Sequence, residues 1–434
     1  MNTTLNLSKR DQNIGLVIVG FLFFIFGFVT WVNGSLIAYL KIACELTNTQ
    51  AYLVATAFFI AYTVMAIPSS IVLRSTGFKK GMSLGLVIMA MGAALFIPAA
   101  YSRNYSLFLV GLFVIGTGLT LLQTAANPYV SVIGPIQSAA QRISIMGVFN
   151  KIGGKIAILI FGFVMLKDSD KLVESLTHMS ATSKAIALNE LAARVINPYI
   201  ILSILLLTAA VVIWFSPLPN IDAELEKTST DATLSTSNKT TIFQYPYVLL
   251  GALAIFMYVG VEVLAGDTIA LYGKTQGISL DSSKFYPIIT LACMLIGYLV
   301  GILCIPRFVT QQQALLISGV LGVAISIGVL VLPAYASVMC VGALGLANAL
   351  MWPAIFPLGI ENLGKFTKLG SALLIMGISG GAIFPLIYGS LSQTDVADSE
   401  IIIATTAQHA YWVLIPAYLY ILWYAVKGHT IGKN

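Results

Sequence analysis

Apolar residues run through this chain in twelve long blocks separated by short polar breaks, over residues 13–40, 51–73, 81–101, 106–134, 143–166, 195–216, 243–272, 285–305, 314–333, 338–360, 367–391 and 411–426. About 20 apolar residues cross a hydrocarbon core, where no water is present to satisfy backbone groups, so each block predicts one membrane-spanning helix. The first block follows a polar stretch, 1–11, and ends in Asn33-Gly34-Ser35 with no small-residue cleavage pattern, which predicts a retained first span rather than a signal peptide. Residues 220–240 are rich in Ser, Thr, Asp and Lys and predict a flexible linker between six spans and six. The loop 167–194 mixes charges with Leu172, Leu176, Met179 and Ile186, a pattern that suits a short helix on the outer surface.

The two halves repeat. At an offset of 227 residues Gly118-Leu119 pairs with Gly345-Leu346 and Gly153-Gly154 with Gly380-Gly381; Ser144, Ile156, Leu159 and Gly162 pair in the same register with Ser371, Ile383, Leu386 and Gly389. One register running across several helices predicts a duplicated six-helix unit, although each glycine taken singly also fits simple close helix packing. The expected organisation is an all-α membrane protein with twelve transmembrane helices in two pseudo-symmetric six-helix bundles: 1–217, a linker over 218–241, and 242–434.

Composition agrees with this and excludes much else. Of 434 residues 58% are apolar and 9% charged, too few charges to cover a water-soluble globule of this length. The net charge of +6 comes from basic residues scattered one to three at a time, which argues against a nucleic-acid partner and for topology determinants. With both termini cytoplasmic, the inner segments hold 13 Lys or Arg against 8 outside, and only four outside once the long loop 167–194 is set aside. Cys44, Cys293, Cys304 and Cys340 have no metal-ligand or disulfide spacing.

Polar groups at membrane depth are costly unless they face a cavity or a partner, so each is a functional candidate. They gather on a few blocks: Trp31 and Asn33 on the first, Gln123 and Asn127 on the fourth, Asn150, Lys151 and Lys155 on the fifth, Glu262 and Asp267 on the seventh, Asn348 and Trp352 on the tenth. Gln123 and Asn127, four residues apart, share a helix face. Amides both donate and accept, as hexose hydroxyls require, and an indole such as Trp31 or Trp352 can cover the C–H patch of a sugar ring. The same amides could instead bridge helices and the same indoles fill space. Glu262 lies about 16 Å of helical rise from the outer end of its block, near the midplane, whereas Asp267 is closer to the outside. Lys151 and Lys155 call for an acid or a wet cavity, and Glu262 and Asp267 are the carboxylates at comparable depth. An enzyme is not indicated. Ala265-Gly266-Asp267 lacks the first glycine and the second aspartate of an intramembrane aspartyl protease, His178, His409 and His429 form no metal motif, and no phosphate-cradling Gly-Lys-Ser/Thr occurs. No re-entrant filter segment points to a channel.

Several stretches resemble the major facilitator superfamily, and within it the fucose–galactose–glucose symporter family. They are Leu46-Thr47-Asn48 with Gln50-Ala51, Pro68 followed by Gly77-Phe78-Lys79-Lys80-Gly81, Ala93-Ala94-Leu95-Phe96-Ile97-Pro98-Ala99-Ala100, Leu107-Phe108-Leu109-Val110-Gly111-Leu112-Phe113, Gln123-Thr124-Ala125-Ala126-Asn127-Pro128-Tyr129 and Ile360-Glu361-Asn362-Leu363-Gly364. The resemblance implies two bundles that rock about a central sugar site under a cation gradient, in a multi-pass protein of a bacterial inner membrane that works as a monomer and needs no cofactor. The fucose-transporting branch is held to use acids on helices 1 and 4 for proton coupling, at positions that match Gly34 and Gln123 here. Val261-Glu262-Val263 with Gly266-Asp267-Thr268 is instead similar to the glucose/galactose branch, some of whose members are described as sodium-driven.

The expectation is therefore a hexose symporter with sodium favoured and the proton as the alternative. Trp31, Asn33, Gln123, Asn127, Asn150, Glu262, Asn348 and Trp352 are expected to bind sugar, Glu262, Asp267 and Lys151 to couple the cation, and Glu262 with Asp267 to ligate sodium. A multidrug exporter of the same fold would need a larger, more apolar cavity.

Overall fold

The computed structural model describes residues 9–133, 138–218, 240–363, 366–394 and 399–433. The linker expected over 218–241 falls almost wholly outside the described residues. The helices of the first half are α1 (Lys9–Ala43), α2 (Asn48–Ala94), α3 (Phe96–Ser102), α4 (Tyr105–Val132), α5 (Ala139–Met165), α6 (Ser169–His178), α7 (Ala181–Ala193) and α8 (Ile196–Phe215). Those of the second are α9 (Pro246–Asp267), α10 (Ile269–Thr275), α11 (Leu280–Ser283), α12 (Pro287–Cys304), α13 (Gln311–Val331), α14 (Ala334–Asn348), α15 (Met351–Ile360), α16 (Thr367–Met376), α17 (Gly380–Leu391), α18 (Glu400–His409) and α19 (Leu414–Val426). Among the described residues there is no strand.

Among the described residues eleven helical stretches are long and apolar enough to cross a membrane, and one of them, 48–102, has 55 residues, enough for two crossings. It is broken at Gly77, whose φ of 74° and ψ of 172° leave the helical region. A positive φ costs glycine nothing, so a single residue turns the chain where the apolar pattern predicts a loop over 74–80. Twelve crossings result. Several blocks expected as continuous spans are interrupted, the third at Leu95 between α2 and α3. The seventh breaks after Asp267 and the tenth after Asn348, while a 3-10 turn, Gly377–Ser379, joins α16 to α17. The tenth break has a local cause, because Pro353 has no N–H to offer the Ala349 carbonyl. The loop 167–194 forms two helices, α6 and α7, where one was expected. The Tyr39 hydroxyl donates to the Leu191 carbonyl of α7 at 2.8 Å and pins it to α1.

The repeated glycines make repeated contacts. A Cβ on Gly153 of α5 would stand 2.2 Å from the Phe24 carbonyl oxygen of α1, and one on Gly380 of α17 would stand 1.8 Å from the Phe256 oxygen of α9. Gly162 of α5 receives the Phe285 ring and Gly389 of α17 receives the Tyr52 ring, each reaching over from the other half. The register of 227 residues thus corresponds to one packing scheme used twice. Within each half one helix lies backbone-close on another, α5 on α1 and α17 on α9. Between halves α5 packs on α12, and α17 packs on α2.

On the face opposite the termini the halves are also clasped by polar contacts. Asp170 accepts from the backbone N–H of Leu280 and Asp281 at 3.3 and 2.9 Å, and Lys284 donates to the Leu166 carbonyl at 2.7 Å.

Candidate functional site

A cavity lies between the halves with about 110 Å³ accessible to the centres of water molecules. From the first half it is lined by Thr30 and Trp31 of α1, Phe59 and Tyr62 of α2, Gln123 and Asn127 of α4, and Asn150 and Lys151 of α5. The second half contributes Tyr258, Glu262 and Asp267 of α9, Tyr298 of α12 and Trp352 of α15.

Its electrostatic centre is an ion pair across the interface. Lys151 Nζ is 2.7 Å from Glu262 Oε1, with both side chains nearly removed from solvent at 5% and 11% exposure. The ammonium also lies 4.6 Å from the centroid of the Trp31 ring, within cation–π range. Trp31 in turn is wedged between Gly154 and Gly266, where a Cβ would stand 2.8 and 2.3 Å from its ring. The Tyr258 hydroxyl is hydrogen-bonded to Glu262, and the Tyr298 hydroxyl to Tyr258. Two buried charges repay their desolvation only with such geometry and added partners.

The neutral wall belongs to α4 and α5. Gln123 donates to the Tyr62 hydroxyl at 2.9 Å, Asn127 Nδ2 to the Gln123 carbonyl at 3.0 Å, and Asn150 to the Phe23 carbonyl at 3.3 Å. Asn127 is fully buried and its Oδ1 has no hydrogen-bond partner. An orphan acceptor in a cavity wall is an invitation to a hydroxyl, since leaving it unpaired costs about 1–3 kcal/mol. Trp352 is half-buried and stacks on Phe356 at 5.5 Å. Asp267 is 4% exposed, and its Oδ2 likewise has no partner.

Of the residues expected here, Trp31, Gln123, Asn127, Asn150, Lys151, Glu262, Asp267 and Trp352 line one cavity. Asn33 and Asn348 do not. Asn33 is two residues beyond Trp31, about 200° around the helix, and is buried elsewhere with Nδ2 unpaired. Asn348 accepts a hydrogen bond from Tyr418 at 2.7 Å inside the second half. Lys155 is half-buried and off the cavity. For the sodium set, no group of three His, Cys, Asp or Glu able to hold a metal ion occurs among the described residues, and Lys151 already engages Glu262. Sequence reasoning missed Tyr62, Tyr258 and Tyr298. Tyr258 was findable, being four residues before Glu262 on the same helix face. Tyr298 reaches the cavity from α12, and no local signal marks it.

Toward the face opposite the termini a wider vestibule opens, with about 910 Å³ accessible to water centres, bordered by Lys41, Glu45, Lys184, Lys274 and Glu400. The Lys184 ammonium, 2.6 Å from Glu45, holds that exposed carboxyl below its usual range. Tyr52 and Tyr388 floor the vestibule with rings edge-on at 5.9 Å, and Tyr411 continues the layer, 4.6 Å from Tyr388 and 4.9 Å from Tyr272.

A cavity at the pseudo-symmetry interface of two six-helix bundles is the layout of an alternating-access carrier. The family model of the Major Facilitator Superfamily matches residues 19–385. The chain belongs to this superfamily. A Glucose/galactose transporter of Brucella abortus is 31% identical over 97% of this chain and 95% of its own length. An L-fucose-proton symporter of Escherichia coli is 30% identical over 89% and 88%. A crystal structure of the superfamily transporter FucP in the outward conformation superposes with a TM-score of 0.70 at 29% identity, covering 95% of this chain and 99% of that one. The relatives named here are transporters rather than enzymes.

Proposed function

We propose that this chain is a cation-driven hexose symporter of the glucose/galactose type, held in a bacterial inner membrane with both termini cytoplasmic and working as a monomer. The observation that carries this reading is that one small cavity holds amides with spare hydrogen-bonding capacity on one wall and carboxylates on the other, with a single ion pair bridging them. In this reading Gln123, Asn127 and Asn150 read sugar hydroxyls, and Trp31 and Trp352 cover the ring. Glu262, Asp267 and Lys151 hold the charge to which the cation responds. A multidrug exporter would call for a roomier and less polar site.

The cation in this reading is the proton, in place of the sodium favoured from the residue pattern. Two things support it. Lys151 already takes the Glu262 carboxylate that sodium would need, and the E. coli relative is named as a proton symporter. Uptake of labelled glucose or galactose by the purified chain in proteoliposomes, with an imposed proton gradient and separately a sodium gradient, tests the whole. Saturable hexose accumulation is expected with the proton gradient, and absence of saturable uptake under both gradients defeats the symporter reading.

A further inference from the structure

We infer that Asp267 carries the coupling proton, while the Lys151–Glu262 pair stays ionised as an internally neutralised bridge between the halves. This rests on the hexose symporter reading and specifies the group through which the gradient acts.

The first argument is charge. Among the described residues, the side chains lining the cavity include one ammonium, Lys151, and two carboxylates, Glu262 and Asp267, with no arginine or histidine. Fully ionised, they sum to one negative charge, and one monovalent cation restores neutrality. The second is occupancy. Lys151 is committed at 2.7 Å to Glu262 and lies against the Trp31 ring, and the Tyr258 hydroxyl supplies a further partner to Glu262. Asp267 is 4% exposed, lines the same cavity and has a buried Oδ2 with no partner. The vacancy for a cation is therefore at Asp267.

The third argument separates proton from metal. Gly34 backs the carboxylate so closely that a Cβ there would stand 3.3 Å from both its Oδ1 and its Cα, and the Trp31 ring packs on neighbouring Gly266. A glycine and an indole add no side-chain oxygen to the carboxylate, whereas a proton needs only one oxygen. The titratable groups facing Asp267 are Glu262 on its own helix and Tyr52 on α2, with Lys151 of α5 and Tyr298 of α12 across the cavity.

Coupling to sugar follows from desolvation. An O–H bond forms at a carboxylate oxygen with a proton from the water on whichever side the cavity is open, and the acid becomes neutral. A sugar that fills the cavity expels water, and without water an uncompensated charge costs far more. Sugar binding and proton uptake therefore favour each other by the same factor, as linkage requires. Release on the other side, where water re-enters, returns the proton to solvent.

The test uses the full chain. Wild type is expected to accumulate galactose under an inward proton gradient and to bind it more tightly as pH falls, by at most about tenfold per pH unit for one linked proton. Asp267→Asn should lose accumulation by roughly tenfold or more while keeping gradient-free counterflow within about threefold, and its affinity should become flat in pH. Counterflow by that variant also certifies its fold. Accumulation by Asp267→Asn at the wild-type level, or accumulation by wild type under a sodium gradient alone, overturns the proposal. Wild type that shows no hexose exchange at all instead removes the symporter reading beneath it. If Asp267→Asn yields no folded protein, proton uptake on adding galactose to wild type in weakly buffered, sodium-free solution decides: about one proton per sugar supports the proposal, and none overturns it.

Discussion

The two walls of the central cavity are built from different chemistry although the halves that carry them repeat one packing scheme. The first half presents Gln123, Asn127 and Asn150 with one ammonium, Lys151; the second presents Glu262, Asp267 and the hydroxyls of Tyr258 and Tyr298. Backbone-level contacts such as Gly153 on Phe24 and Gly380 on Phe256 are common to both. Duplication thus preserved the frame on which helices approach and left the cavity-facing positions free to diverge. In the proposed function the sugar-reading amides belong to one bundle and the carboxylates that answer the cation to the other, so coupling there would be a coupling between bundles. A rocking motion that moves one wall past the other must act on both.

The most damaging way to break this division is to strip the charge from one wall. Lys151→Ala leaves Glu262 buried and unpaired, and a loss of about 3–5 kcal/mol in stability is expected. Thermal unfolding of the detergent-solubilised protein reads it, with Lys151→Ala/Glu262→Gln recovering most of the loss; equal melting of single and double variants would mean the pair is not coupled. The shared frame is probed next by Gly153→Ala and Gly380→Ala. Each forces two backbones apart at an overpacking cost of about 1–3 kcal/mol, with Gly380 the more costly because its neighbour is closer. Similar melting shifts in the two halves sharpen the comparison, and a shift in one alone blunts it.

On the neutral wall, Gln123→Ala or Asn127→Ala should weaken hexose binding by about 1–3 kcal/mol by leaving sugar hydroxyls unpaired. Binding titrations on both variants check this, and unchanged affinity in both would turn the amides into helix bridges. The smallest effect belongs to Asn348→Ala, which lies off the cavity. Hexose affinity should stay at the wild-type value, while losing the Tyr418 hydrogen bond costs about 1 kcal/mol of stability.

The residue pattern by itself determined the twelve crossings, the duplicated unit and most of the polar cavity set. The reason is that lipid permits few solutions: an apolar run of sufficient length must be a helix, and a polar side chain inside it must find a cavity or a partner. Gln123 and Asn127 were legible as a pair because helical periodicity fixes which residues share a face. That same local rule says nothing about which helices meet. The Lys151–Glu262 pair joins residues 111 apart in the chain, and Tyr298 enters the site from α12 with no sequence mark. Asn33 and Asn348 are as polar and as deep as Asn127, and only packing turned them away from the cavity, one by its angle around α1 and the other by the reach of Tyr418. Tertiary structure also separated the two carboxylates. Residue type makes Glu262 and Asp267 near equals, but one is satisfied by an ammonium from the opposite bundle while the other faces a glycine and is left without a partner. Helix composition acts over a few residues and is written in the sequence, whereas the partner of a buried charge depends on the approach of bundles far apart along the chain.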